Sequence, residues 1–505
     1  MCFFGIRRGV ALSCLVLVLG ACAAPVESAA VLSSLSLREA FRRALEANKE
    51  IRVSEHGVEV SRGRAQAAHG PFDVVAFAEG RHLSNRSPNA LDPVDTSDLT
   101  EQQIRGGVRK RFVTGTEVEL AAATERNKIG DADAALDEYY TPSLSVTLTQ
   151  DLLDGWGVNV NRTDILVARD RRRIAEQVLR ETVIEVLYGV ERAYWDLYYA
   201  KEDLTVRQAQ LGRARKLVAR AESQVRVGEA APIEVTRARA SAAQQEVSIL
   251  NAEKEISRLR HRLLRLLGVF EAPAPEAPLR LEDAPRPVEA SPTFLESMKA
   301  ARDYRPELAR ARLGVRIAEY EERFARNRRL PTLQLYGSYV VRGLDERFGT
   351  SFKRFGGDDR SWEMGLVLEQ PLPNRRARGN LYAAAAEVDR AETALAAARE
   401  RVARDLADAL EELRVARGRV DRSREARALA AELLTAEEKS FTLGRSDSLD
   451  VLTAQQALAT AERDEARATV DLMLAYADLL RLRGDLPEER GIEIAAEANG
   501  DPGLL

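Results

Sequence analysis

The chain has 505 residues, more than a single hydrophobic core usually supports, so either two domains or an elongated architecture is expected. Charged residues make up 30% and aromatics 6%, and 75 basic against 79 acidic residues leave a formal net charge of −4. This is the composition of long helices, and with no basic run standing apart from acidic neighbours it excludes a nucleic-acid footprint.

At the N-terminus, Arg7 and Arg8 precede the apolar run "GVALSCLVLVLGA", which is too short to span a bilayer and reads as a signal peptide over residues 1–21. Cys2, Cys14 and Cys22 are the only cysteines, so the mature body forms no internal disulfide and depends on packing. The run ends in "LGAC", Leu19 to Cys22, which resembles the lipobox of bacterial lipoproteins. That resemblance implies cleavage before Cys22 and its lipidation, with 22–34 as the anchor segment and Ala23 compatible with outer-membrane sorting. An ordinary signal cut a few residues later, within "ACAAPVESAA", is the plainer alternative. No later apolar run reaches transmembrane-helix length, so the mature chain would cross a membrane only as a closed β-barrel.

Residues 35–268 read as a first structural repeat. A helix over 35–68 is followed by strands expected at about 71–84, 104–113, 116–125 and 142–151, then by a long helical hairpin over 162–268. In "PSLSVTLTQDLL", Leu144, Val146 and Leu148 share one face, the period-two signature of a strand. A Pro-rich stretch, 269–296, reads as a linker.

Residues 297–486 repeat the pattern with a helix over 297–327, strands at about 330–342 and 361–371, and a hairpin over 379–484; residues 487–505 are a tail. Leu333, Leu335, Tyr339 and Val341 share one strand face, as do Trp362, Met364, Leu366 and Leu368 on the next. Gln150 matches Gln370 at an offset of 220 and Pro71 matches Pro331 at 260, placing an insertion of forty residues between the two strands of the first copy. The insertion reads as two strands turning at Thr114-Gly115 between long polar loops. It is either part of a barrel or a hairpin folded outside the membrane, the obstacle being Lys110 on a face with Val108 and Phe112.

On the second long helix, Leu395, Ala398, Val402, Leu406, Ala409, Leu413, Ala416 and Val420 recur at steps of three and four, a coiled-coil seam. Both hairpins break at glycine: "SQVRVGEAAPIEVTRARASAAQQE" around Gly228 and "SFTLGRSDSLDVLTAQQALATAE" around Gly444 match at one offset (444 − 228 = 216). Ser446, Asp447 and Ser448 are expected to cap the returning helix, with Asp450 in its first turn. Tyr194, Trp195, Tyr198 and Tyr199 read as packing, and Trp362 as a residue of the lipid interface. His56, His69, His82 and His261 are scattered with no metal spacing, no phosphate loop or catalytic constellation emerges, and neither an enzyme nor a cofactor is expected.

The order helix, strand, strand, long helix and returning helix, given twice behind an export signal, resembles the TolC-like outer-membrane efflux protein family (outer membrane factors) in its lipoprotein form. The resemblance rests on "LPTLQLYGSY", "LTQDLLDGWG", "LEQPLPNRRARGN", "AYWDLYYAKEDL" and above all "LGRSDSLDVLTAQQALATAE". It implies a mainly α chain that contributes strands to a transmembrane β-barrel, assembled as a homotrimer with a periplasmic α-helical tunnel, in the outer membrane of a Gram-negative-type bacterium. Four strands per protomer are usual in that family; six here would make about eighteen in a trimer. The function implied is a passive exit duct for tripartite efflux or type I secretion, partnered by a periplasmic adaptor and an inner-membrane transporter. The resemblance further implies a periplasmic gate at Asp450, Asp447 and Glu234, with Thr453 at another acidic position of the motif, and adaptor docking at Gly228 and Gly444. A lipid-anchored periplasmic coiled-coil adaptor or scaffold is the alternative.

Overall fold

The computed structural model describes residues 34–88, 96–129, 136–228, 231–269, 279–285, 291–355, 359–443 and 445–492. Cys22 and Gly444 therefore lie outside the described residues. In the first half of the chain come β1 (Ser34–Leu35), α1 (Leu37–Ala47), α2 (Lys49–Ala67), β2 (Val74–Pro88), β3 (Thr96–Arg111), β4 (Thr116–Ile129) and β5 (Glu138–Asp151). They are followed by α3 (Val158–Asn161), α4 (Thr163–Arg226) and α5 (Pro232–Leu266). The second half runs β6 (Arg280–Leu281), α6 (Phe294–Tyr304), α7 (Pro306–Asn327), β7 (Thr332–Arg342), α8 (Phe348–Ser351) and β8 (Arg360–Glu369). It closes with α9 (Arg375–Thr442), α10 (Ser448–Arg483) and α11 (Leu486–Glu489).

The strands β2, β3, β4, β5, β7 and β8 form one antiparallel sheet in that order. The inserted pair β3–β4 thus belongs to the same sheet as its neighbours, which removes the separate-hairpin alternative. Its strands are longer than the periodicity suggested, because the cross-strand ladder continues past the apolar stretch, pairing Thr100 with Lys128 and Glu101 with Asn127. The turn between them needs Gly115, whose φ is +88° and whose added Cβ would sit 2.6 Å from the Gly155 carbonyl oxygen.

The long helices α4 and α9 run 64 and 68 residues, on the order of 100 Å each. Their returning partners α5 and α10 have 35 and 36 residues and cover about half that height. The expected seam on α9 is buried from Ala398 to Val420, packed with Ala468, Leu472 and Leu479 of α10 and with Ala301 and Leu308 of α6 and α7. Above the return helices, α2 packs on α4, and α7 lies against both α4 and α9. Among the described residues no helix is long and apolar enough to cross a membrane.

The helices expected as single pieces over 35–68 and 297–327 are each broken in two. Asn48 ends α1 and caps α2, its Oδ1 accepting from the Glu50 and Ile51 N–H groups at 2.8 and 3.3 Å. Arg305 ends α6, and Pro306 opens α7 because its missing N–H and fixed φ suit only a first turn. Both breaks receive the end of the returning helix in the same way. Asn48 Nδ2 donates to the Leu266 carbonyl at 2.8 Å, and Arg305 donates to the Leu482 carbonyl at 3.0 Å, acceptors 216 residues apart (482 − 266). Gly268 and Gly484 follow at φ +72° and +84°, again 216 apart (484 − 268), pressed onto the Ala47 and Arg305 backbones.

The linker is docked in part. Residues β6 pair in parallel with β1, the Lys201 ammonium donates to the Leu279 carbonyl, and Asp283 accepts from the Leu37 N–H at 2.6 Å. Tyr194, fully buried, accepts the Asp283 N–H at 3.1 Å and donates to the Leu35 carbonyl at 3.2 Å; burial pushes its hydroxyl up to about 12. The aromatic cluster is therefore packing, with Trp195 edge-on to Tyr194 at 5.2 Å. The stretch after 486 is held as well: α11 buries Leu486, and Arg490 reaches the fully buried Glu191 of α4 at 2.6 Å. Burial pushes the Glu191 carboxyl up, and the Arg490 charge opposes that shift.

Candidate functional site

The hairpin tips hold the sequence-predicted residues. At the first tip, the Gly228 N–H donates to the Val225 carbonyl at 3.1 Å, and φ of +80° explains the glycine. Among the described residues beyond its chain neighbours no atom lies within 4 Å of where its Cβ would be, so within the chain it is the backbone geometry that calls for glycine. The next helix restarts on Pro232 with no side-chain cap at Ala231.

At the second tip, the Arg445 N–H donates back to the Ser440 carbonyl in the last turn of α9 at 2.9 Å. Asp447, and neither flanking serine, is the N-cap of α10. Its carboxylate accepts from the Leu449 and Asp450 N–H groups at 2.9 and 3.0 Å, and Asp450 accepts in return from the Asp447 N–H at 3.2 Å. Ser446 instead turns back to the Glu437 carbonyl at 3.5 Å. Ser448, 1% exposed, donates to the Glu234 carboxylate of the other hairpin.

The tips therefore meet. Leu217 and Ala238 of the first hairpin share an apolar cluster with Leu434, Phe441, Val451, Ala454 and Leu458 of the second. Above it, Gln210 donates to Gln456 at 2.7 Å and Arg467 to Asp196 at 3.2 Å, so α4 and α10 are joined along their length. Glu234 also pairs with Arg237 at 2.8 Å and is only 20% exposed. Asp447 and Asp450 are exposed and have no ion-pair partner among the described residues, and Thr453 is exposed with its hydroxyl on the Leu449 carbonyl. Ser448 is the residue the sequence did not single out as a link between hairpins, since its partner lies 214 positions away.

The sheet has two chemically distinct faces. On one, a cross-strand row runs Ala76, Val108, Leu120, Val146, Tyr339 and Trp362. Trp362, Met364, Leu366 and Leu368 are 64–76% exposed along β8. On the other, the adjacent row runs Val75, Arg109, Glu119, Thr147, Ser338 and Glu363. Lys110 lies on the apolar face but next to the end of β3, its ammonium 5.4 Å from the Phe112 ring, where a long stem lets the charge reach an interface. The sheet thus presents one exposed apolar face and one polar face and is attached to long charged hairpins, a division that suits lipid on one side and water on the other.

Comparison with known proteins agrees with this geometry. The sequence model of a family described as outer membrane efflux protein matches residues 116–269 and 298–485. The chain is 23% identical over 367 residues to the outer membrane efflux protein BepC of Brucella suis biovar 1 (strain 1330), covering 72% of this chain and 76% of that protein. A membrane protein from Pseudomonas aeruginosa superposes with a TM-score of 0.67 at 19% identity, covering 89% of this chain and 93% of that one. The outer membrane protein VceC from Vibrio cholerae superposes at 0.65 and 16% identity, covering 89% and 96%. The chain belongs to the outer membrane efflux protein family. It is an outer-membrane efflux channel protein whose helices extend into the periplasm, and the adaptor or scaffold alternative falls away.

Proposed function

We propose that three copies of this chain assemble into a passive exit duct, each giving six strands to one closed barrel of about eighteen and two hairpins to one periplasmic tunnel. The observation that carries the reading is the open sheet, in which β2 and β8 are edge strands with apolar side chains exposed on one face. Unpaired strand edges in hydrocarbon cost several kcal/mol per group, so the edges must meet the edges of other copies. The duct would receive cargo from an inner-membrane transporter through a periplasmic adaptor, in tripartite efflux or type I secretion. The adaptor would dock at the hairpin turns Gly228 and Gly444, and Cys22 would carry the lipid.

Asp447 and Asp450 are assigned to the periplasmic gate, where a threefold axis would turn each into a ring that attracts cations and opposes anions. Glu234 is assigned a different part from the one its sequence position suggested, because its carboxylate is engaged by Ser448 and Arg237. It would latch one hairpin to the other. The test is the mass of the full chain purified from outer membranes in detergent, followed by planar-bilayer recording with and without Asp447→Asn and Asp450→Asn, which keep a capping side chain. A trimer with long-lived conducting steps, less cation-selective in the variants, is expected. A monomer without conductance would sink the duct, and unchanged selectivity would remove the two carboxylates from the gate.

A further inference from the structure

The inserted pair β3–β4 does more than widen the sheet. Arg105, Arg109 and Arg111 all stand at odd-numbered positions of β3 and so share the polar face, Arg109 about 7 Å from Arg111 and about 13 Å from Arg105. In the rows of Arg109 and Arg111 the polar face of β5 and β7 carries Thr147, Ser338, Thr149 and Tyr336, with no charge, whereas the row of Arg105 ends on Arg342 of β7. The insertion therefore adds three basic side chains to one arc of the polar face.

Carboxylates lie nearby, and cross-strand ion pairing is the plainer role for these arginines. Arg105 pairs with Glu119, and Arg111 lies 3.6 Å from Asp151. Two observations point further. Arg109 stands 3.9 and 4.0 Å from Glu117 and Glu119, too far for a hydrogen bond, and makes none among the described residues, so its fork of N–H donors is unspent. The arginines also stand clear of two of their partners: their side chains are 35, 47 and 42% exposed, against 18% for Glu119 and 19% for Asp151. Between Arg105 and Arg109 lies Gly107, with no side chain, facing the small, buried Ala121. Beside Gly107 is Phe77, whose ring centroid is 5.4 Å from the Arg105 guanidinium carbon.

We propose that Arg105, Arg109 and Arg111 form an anion-binding arc on the lumenal face of the barrel, which recognises the carboxylate or sulfonate of organic acids whose apolar part rests on Phe77. The inference rests on the duct reading, which puts this face in the lumen. A planar guanidinium with free donors matches a carboxylate in bidentate geometry, and basic rings are how pores favour anions. The arc and the carboxylates at the hairpin tips then act in series, passing cargo that carries both charges or an apolar body with either one.

The experiment records single-channel reversal potentials of the reconstituted full chain in a potassium chloride gradient, then with potassium benzoate replacing the chloride on one side. Arg109→Gln, and Arg105→Gln with Arg109→Gln, are expected to lower the anion-to-cation permeability ratio by about twofold or more and to weaken benzoate block. Arg109→Lys should retain the chloride preference and lose benzoate affinity, because an ammonium cannot grip a carboxylate bidentately. Lys110→Gln, at the same height on the opposite face, should change neither. Conducting channels with unaltered selectivity and benzoate response in the glutamine variants would overturn the arc and leave the duct intact. Absence of conductance in the wild-type chain would overturn the duct and the arc together.

Discussion

The two copies of the repeat agree at one joint and differ at another. Where the returning helices α5 and α10 end, both copies use a left-handed glycine pressed onto a broken helix, and both donate a side-chain hydrogen bond to the carbonyl two residues before it. The donors are chemically unlike, an asparagine amide and an arginine guanidinium, which shows that the steric demand is shared and the chemistry is free. At the tips the copies restart a helix by different means, a proline in one and a reciprocal carboxylate cap in the other. Among the described residues, the second solution leaves Asp447 and Asp450 exposed, whereas Glu234 at the first tip is largely covered. The two copies thus share the joint and differ at the tip.

The largest effect is expected where the second copy reaches back to the first. Arg490→Ala leaves Glu191 buried without its counter-charge and should cost about 3–5 kcal/mol, read as a lowered midpoint of thermal unfolding in detergent. A loss within 1 kcal/mol would mean that Glu191 is protonated or relaxes to water.

Next, Gly268→Ala and Gly484→Ala each add a Cβ against backbone at positive φ and should cost about 2–5 kcal/mol. Gly228→Ala, at positive φ but in open space, should cost only about 1–2 kcal/mol. Equal losses at all three would dissolve the distinction between joint and tip.

A pH series sharpens the joint further. Asp485, next to Gly484 and 6% exposed, is raised from its ordinary 3.8 to about 6, by burial first, with Arg483 pulling the other way. The folded chain then holds this proton more tightly than the unfolded chain, so stability falls as pH rises from about 4 to 6, by up to about 3 kcal/mol. Asp485→Asn should flatten that part of the profile, and an unchanged slope would assign it to other groups. The smallest effect is at the tips: Asp447→Ala should cost about 1 kcal/mol through the lost cap, whereas Asp447→Asn should be nearly neutral for stability.

Periodicity made much of this architecture legible. The faces of β5, β7 and β8, the α9 seam and the paired hairpins can be read from single residues because a period reports which side of an element is buried. It does not report the partner. Hence the place of β3–β4 in the common sheet was open, and the Ser448 to Glu234 and Arg490 to Glu191 contacts were invisible, each joining residues more than two hundred positions apart. The linker misled for a related reason: its prolines exclude helix, but a short docked strand needs only the few backbone bonds that β1 supplies.

The pairing of β5 with β7 also sets an order of events. Ser143 to Asp151 pair with Gln334 to Arg342, and between them lie the whole first hairpin, the linker and α6–α7. Each long hairpin is made of contacts between neighbours in the chain, whereas this ladder closes a loop of nearly two hundred residues. The sheet therefore stays in two pieces, four strands and two, until the second half has left the export machinery. Up to that moment a four-stranded, apolar-faced fragment with an open edge must be kept from its own kind.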